Sequence, residues 1–566
     1  MSRDYFSNPD ELRDVSEPLS HFIDQYLDYL YEAHPTEAAA DGVHLHDDLL
    51  EDLSRSAIET RIREFGGWRR RLDGIASGGL TADERLDRRM LGDCIRSRLY
   101  ALEEVRDWER NPLVYAEVLA NSLATQVLFA YADLPERARR IGSKLRQTPR
   151  LIDSARENVS EAPGLFVKVA IESFEGVLSF IEKDLPRAFR DLDDLHILGD
   201  LADASTDAAA SLHGYIGYLR DTLAPKSRAT FRIGREQFEQ KLRLDEGIDM
   251  PSDQLLDIAL RELRATQEEF SRIAATIDSD RAEAWRKVKA QHPSAEELIP
   301  AVGEQVQKLQ TFLQRNPLVT MPENAGLRIA PTPDFYRWTF ASLWTPGPFE
   351  VSKVPACYYI TNVAPSWSDS RKKGHLLDLN YASLWSVSTH EVYPGHFLHF
   401  EHLRQVKSRL RKSTLCAPTS FIEGWAHYAE QMILDEGFEH GNAEIRLGQL
   451  AEALTRLART IVGIRLHTED LSVEQGVRFF MEEAYLEEGT ARQEAERGTF
   501  DPSYVLYALG KQMMVKLRAD AEEAAKSAPH GEGFSLQRFH DNVLGHGSVP
   551  FWMHRVLMGR NEPVIE

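Results

Sequence analysis

The 566-residue sequence has no uninterrupted apolar run near the roughly 18 residues needed to span a bilayer, which excludes a transmembrane reading. Its opening, MSRDYFSNPDELRDVSE, lacks a basic stretch followed by an apolar one, so no export signal is read there and a cytoplasmic setting is expected. Cysteine is scarce. Cys94, Cys357 and Cys416 stand far apart, form no C-x-x-C pair and are odd in number, so reduced core thiols are expected. Positive charge is also in deficit: 67 Lys and Arg face 89 Asp and Glu, a net −22. A phosphate backbone would be repelled, so nucleic acid is excluded as a partner, and solubility suffices to explain the acidity. No fixed-period repeat marks a solenoid.

What remains is mostly helix. Phe22, Ile23, Tyr26, Leu27 and Leu30 recur at helical spacing, and Leu256, Leu260, Leu263, Phe270, Ile273 and Ile277 repeat the pattern. Ser294 with Glu297, and Ser472 with Gln475, have the spacing of capping boxes. The texture changes between about 316 and 375, where eight prolines forbid long helices. Aromatic and β-branched residues at Leu327–Ile329 and Ala356–Asn362 predict a small sheet there. The expected fold class is therefore mainly α, with a small β-sheet beside a metal-binding helix. Two regions are expected: 1–300, helical and walling a channel, and 301–566, catalytic, with the strands and the C-terminal helices.

The chemistry concentrates in STHEVYPGHFLHFEH, residues 388–402. In the H-E-x-x-H pattern two histidines share a helical face to hold zinc, and the glutamate activates water. Here His390-Glu391 is followed by His396, six positions on, which a regular helix would turn about 240° away. Pro394 and Gly395 lie between. A proline costs about 3 kcal/mol inside a helix, and glycine accepts angles other residues resist. The Pro-Gly pair thus predicts a bulge that absorbs the extra residues and returns His396 to the side of His390.

A catalytic zinc wants a third protein ligand and leaves a fourth position for water. FIEGWAHYAEQMILDEG begins 31 residues after His390 and offers Glu423 as that ligand, with Gly424 allowing close backbone approach. His427, one turn on, is expected to face the same cavity as a supporting or substrate group, and Glu430 to orient a ligand histidine. His399 and His402 are expected to be structural or surface residues.

The two motifs together resemble the bacterial domain of unknown function 885 family, whose members read H-E-x-Y-P-G-H and then E-G-W-A-x-Y-A-E. ATFRIGREQFEQKL at 229–242, VPACYYITNVAP, RGTFDPSYVLYALGKQMMVKLR at 497–518 and FHDNVLGHGSVP at 539–550 are similar to further family blocks in family order. The resemblance covers most of the chain and implies a gluzincin-like, mostly α-helical metallohydrolase. It implies one Zn2+ per chain on His390, His396 and Glu423, with Glu391 as general base. Tyr507 and Tyr504 become candidates for the phenol that meets a developing oxyanion. His467 resembles a family histidine that follows an aspartate and a glycine, but Gly463 and Arg465 stand at the corresponding places here.

The function expected is hydrolysis of short peptides or other small amides through a metal-activated water, with no nucleic-acid or membrane partner. A non-peptide amide or ester hydrolase and a non-catalytic helical scaffold are the alternatives. Arg459, Arg465 and Arg492 are read as solvated cations before they are read as anchors for a substrate carboxylate.

Overall fold

In the computed structural model, residues 18–323, 325–333, 339–527 and 533–560 are described. The opening stretch read for an export signal, and residues 334–338 of the proline-rich segment, lie outside them. Within the described residues the protein is mainly α-helical, with one three-stranded sheet. Among the described residues no helix is long and apolar enough to cross a membrane. The chain divides into two compact units, 1–231 with 346–354 and 408–416, and the remainder. The division falls at 231 instead of near 300. The helices that follow residue 231 are as amphipathic as those before it, so composition does not mark the boundary, and the proline-rich change of texture lies almost wholly inside the second unit.

In the first unit, α1 (Leu19–Ala33) buries the apolar stripe that its period predicts. Trp68 of α2 (Arg55–Gly74) packs edge-on against Phe22 and Tyr26 at 5.3 and 5.4 Å. α3 (Ala82–Tyr100) begins on a capping box of Thr81 and Glu84. The returning segment 408–416 is tied down at several points. Arg409 pairs with Asp24 and Asp28, and Arg411 with Asp87. Ser413 and Thr414 donate to Asp41, which is fully buried and also receives the Tyr31 hydroxyl. Cys416 forms a disulfide with Cys94 of α3. The expectation of three reduced cysteines is corrected here, and only Cys357 remains a free, buried thiol. A separation of 322 residues leaves no local spacing from which that pairing could be read.

In the second unit the strands β1 (Leu327–Pro331), β2 (Ala341–Trp344) and β3 (Ala356–Ile360) take the order β1-β3-β2, parallel and then antiparallel. The two expected strands are present. β2 is the addition, four residues long and too short to show an alternation. β3, buried throughout, is the central strand, and its Tyr358 hydroxyl lies 3.3 Å from Ser388 Oγ on α6. Against the sheet pack α5 (Leu298–Arg315) and α6 (Tyr381–Glu391), and the unit also holds α4 (Ser252–Ala274), α7 (His396–Leu403), α8 (Thr419–Asp435), α9 (Ala443–Thr468), α10 (Glu488–Phe500) and α11 (Leu506–Ser527), packed largely on one another. Both capping boxes are present: Ser294 and Glu297 exchange hydrogen bonds before α5, and Ser472 and Gln475 do so after α9.

α8 and α11 cross at two glycines. A Cβ on Gly424 would lie 2.6 Å from the Gly510 Cα, and one on Gly510 would lie 2.0 Å from the Ser420 carbonyl oxygen. No side chain fits between the backbones, as expected for Gly424.

Candidate metal centre

α6 starts on an Asn380 cap and ends at Glu391, so His390 and Glu391 occupy its last turn. Val392–Gly395 are not helical, the Tyr393–Pro394 peptide is cis, and α7 starts at His396. The expected bulge is thus a complete break between two helices. Gly395 folds back so that its N–H donates to the Thr389 carbonyl at 3.0 Å, and a Cβ there would meet the His390 carbonyl oxygen at 1.8 Å. The Trp425 indole N–H, from α8, donates to the Pro394 carbonyl at 2.9 Å and holds the loop.

The break brings the His390 and His396 rings to 4.6 Å, nearly perpendicular. The two Nε2 atoms lie 3.3 and 3.4 Å from Glu423 Oε2, and one donor atom from each residue falls within 4.8 Å of the other two. Ligands at the corners of a tetrahedron with bonds of about 2.0–2.1 Å stand about 3.3–3.4 Å apart. The donor set, two imidazoles and a carboxylate, and the two distances to Glu423 fit one such ion. Glu423 Oε2 is buried and makes no well-aligned hydrogen bond despite its two close neighbours.

Glu430, two turns after Glu423, lies 2.8 Å from His390 Nδ1. A carboxylate there places the imidazole proton on Nδ1 and leaves Nε2 its lone pair. Glu430 is itself held by Ser386 at 2.6 Å and Arg456 at 3.1 Å. It is fully buried, yet Arg456 keeps its carboxyl well below the usual range. Burial opposes charge on His390, but the close carboxylates of Glu423 and Glu430 outweigh it and raise the imidazole to about 9. A cation between the Nε2 atoms would compete for the site with that proton. His427 lies 3.4 Å from Glu430 and is pulled down to about 3 by burial, so it stays neutral.

The two candidate tyrosines part company. Tyr507 is partly exposed, and its ring lies 6.3 Å from that of His390 at an angle of 15°. Burial and then the nearby Glu423 push its phenol up to about 12. Tyr504 is fully buried against Gly463 and Gly498, and its hydroxyl finds no partner among the described residues. His467 bonds the Gly498 carbonyl at 2.8 Å and stacks on Phe238, so it packs outside the cluster. His399 bonds Ser548 and His402 the Thr320 carbonyl, both structural contacts.

Arg459 departs from the sequence reading, being nearly buried and paired with Glu494. Sequence reasoning also missed Ser386, Arg456 and the Trp425 clamp. Only Ser386 carries a signal, standing one turn before His390 on the same helical face.

Fold and site together define a mainly α-helical protein whose broken helix gathers two histidines and a glutamate around one point. The chain belongs to the family described as bacterial protein of unknown function (DUF885), which matches residues 35–555. Two solved structures share the fold. A "putative lipoprotein of unknown function" from Shewanella oneidensis is 23% identical, with a TM-score of 0.78 over 96% of this chain and 100% of its own. A "putative lipoprotein" from Colwellia psychrerythraea is 16% identical, with a TM-score of 0.78 over 96% of this chain and 98% of its own. No curated protein matches the chain.

Proposed function

We propose that the protein is a zinc-dependent hydrolase of peptide or other small amide bonds, holding one ion through His390, His396 and Glu423. The observation that carries this reading is the convergence of three donor atoms within 4.8 Å of one another, both imidazole Nε2 atoms lying 3.3–3.4 Å from Glu423 Oε2, with His390 Nδ1 already engaged by Glu430. A bound zinc would polarise the substrate carbonyl and acidify water. Glu391, partly exposed and one residue from a ligand, takes a proton from the attacking water as its oxygen bonds to the carbonyl carbon. The same carboxyl returns the proton to the amide nitrogen as the C–N bond breaks. Tyr507 donates a hydrogen bond to the oxyanion that appears between these steps. β3 is central in the sheet, so an extended substrate would have to pair at an outer strand.

Elemental analysis of untagged protein tests the metal: near one zinc per chain, lost in His396→Ala, is expected, and an absence of metal points instead to a scaffold. Peptides with blocked and free termini, beside simple esters, then define the bond class.

We also infer a setting outside the reducing cytosol, in place of the cytoplasmic one read from the sequence. Disulfides persist in oxidising compartments, and the Cys94–Cys416 bridge together with two structural neighbours called lipoproteins supports this. Fractionation of producing cells tests it, and protein confined to the cytosol would overturn it.

A further inference from the structure

Three helices meet at Tyr507. α9 brings Arg459, α10 brings Glu494 and Arg497, and α11 brings the tyrosine itself. Arg459 Nε and one of its terminal nitrogens each donate to a different oxygen of Glu494 at 2.7 Å. Such a two-pronged pair fixes the plane of the guanidinium as well as its position. Both side chains are some 85% buried, at 15% and 14% exposure, so solvent screening is weak. With its edge occupied by Glu494, the guanidinium stands over the Tyr507 ring at 5.3 Å, in cation–π range. Arg497, anchored on Asp501 at 2.8 and 2.9 Å, sets its guanidinium 5.9 Å from the neighbouring Tyr504 ring instead. The Tyr507 ring in turn lies nearly parallel to His390.

A pair that served only to join α9 to α10 would not need to place a cation over a neighbouring ring. We propose that Arg459, locked by Glu494, is a positioning residue that fixes the Tyr507 phenol beside His390 for its role as oxyanion donor. The inference rests on the hydrolase reading above. A phenol free to swing loses alignment with charge that appears only in the transition state, and small misplacements of such groups are costly.

The test uses the full chain loaded with zinc and carrying Arg459→Met, Arg459→Lys or Glu494→Gln. Arg459→Met is expected to lower kcat about 10- to 100-fold with KM within about twofold and zinc content unchanged. Arg459→Lys, which keeps the charge and one hydrogen bond, recovers part of the loss. An independent readout places 3-fluorotyrosine at position 507 and follows its fluorine resonance. The unsubstituted cradle gives one narrow line that shifts when zinc is added, and Arg459→Met moves and broadens it. If the Met variant does not fold, Arg459→Lys and Glu494→Gln decide by the same measurements. Unchanged kcat, or a fluorine line indifferent to the substitutions, overturns the proposal. A zinc-loaded wild type that cleaves no substrate sinks the hydrolase reading instead, and the fluorine line still decides whether Arg459 holds the ring.

Discussion

At the scale of single residues, Glu391 and His396 sit close in the chain and are assigned opposite tasks. Glu391→Gln should keep zinc at one per chain while turnover falls about 10²- to 10⁴-fold, the usual worth of a general base. His396→Ala should lose the metal and the activity together, and elemental analysis beside a peptide assay separates the two. An active Glu391→Gln enzyme would remove that carboxylate from the chemistry. The convergence of His390, His396 and Glu423, with Glu430 behind His390, is legible in the sequence because each lies in one of two short motifs whose spacing carries geometry. Arg456 and Arg459 are not. Their partners Glu430 and Glu494 lie 26 and 35 positions away, and from sequence a helix-borne arginine looks the same whether it meets a buried carboxylate or water.

At the scale of elements, α8 carries Glu423, and two features fix where the helix lies. The first is the glycine crossing with α11. Gly510→Ala forces a methyl group onto the Ser420 carbonyl, so a loss of about 1–3 kcal/mol or more in denaturant unfolding is expected. Gly303→Ala on α5 has open space around its Cβ and should be neutral or stabilising by up to about 1 kcal/mol. Equal effects of the two substitutions would mean that the crossing tolerates a wider separation. The second feature is Glu246, which accepts from the Thr419 and Ser420 amides at the start of α8. Burial, set against the Ser420 hydrogen bonds, raises this carboxyl from 4.5 to about 7. The folded chain therefore holds a proton that the unfolded chain has already released, and stability should fall as pH rises from about 4.5 to 7 and then level off. The span is worth about 3 kcal/mol. Denaturation curves between pH 5 and 8 should show a flatter profile for Glu246→Gln, and matching profiles would assign the slope to other groups. The helices were readable from their period, and β3 from its aromatic run. β2 was not, because four residues cannot display a pattern, and neither was the full helix break, because Pro-Gly signals a disturbance without giving its extent.

At the scale of the whole molecule, the disulfide makes a countable prediction. Denatured, unreduced protein should titrate one thiol, that of Cys357, and three after reduction. Three thiols before reduction would restore the reading of free cysteines. Loss of the bridge in Cys94→Ala should cost about 2–5 kcal/mol. Neither this bridge nor the boundary at residue 231 could be read from the sequence, since both depend on where the chain returns after some two or three hundred residues elsewhere. That return also sets a timetable for synthesis. Asp41 stays without its Ser413 and Thr414 donors, and Cys94 without its mate, until residue 416 has left the ribosome. At about 5–20 residues per second, the first unit, complete but for its two short later segments, waits roughly 10–40 seconds for its closing piece. A stop anywhere before that point leaves a fragment whose most deeply buried carboxylate has been promised partners that never arrive.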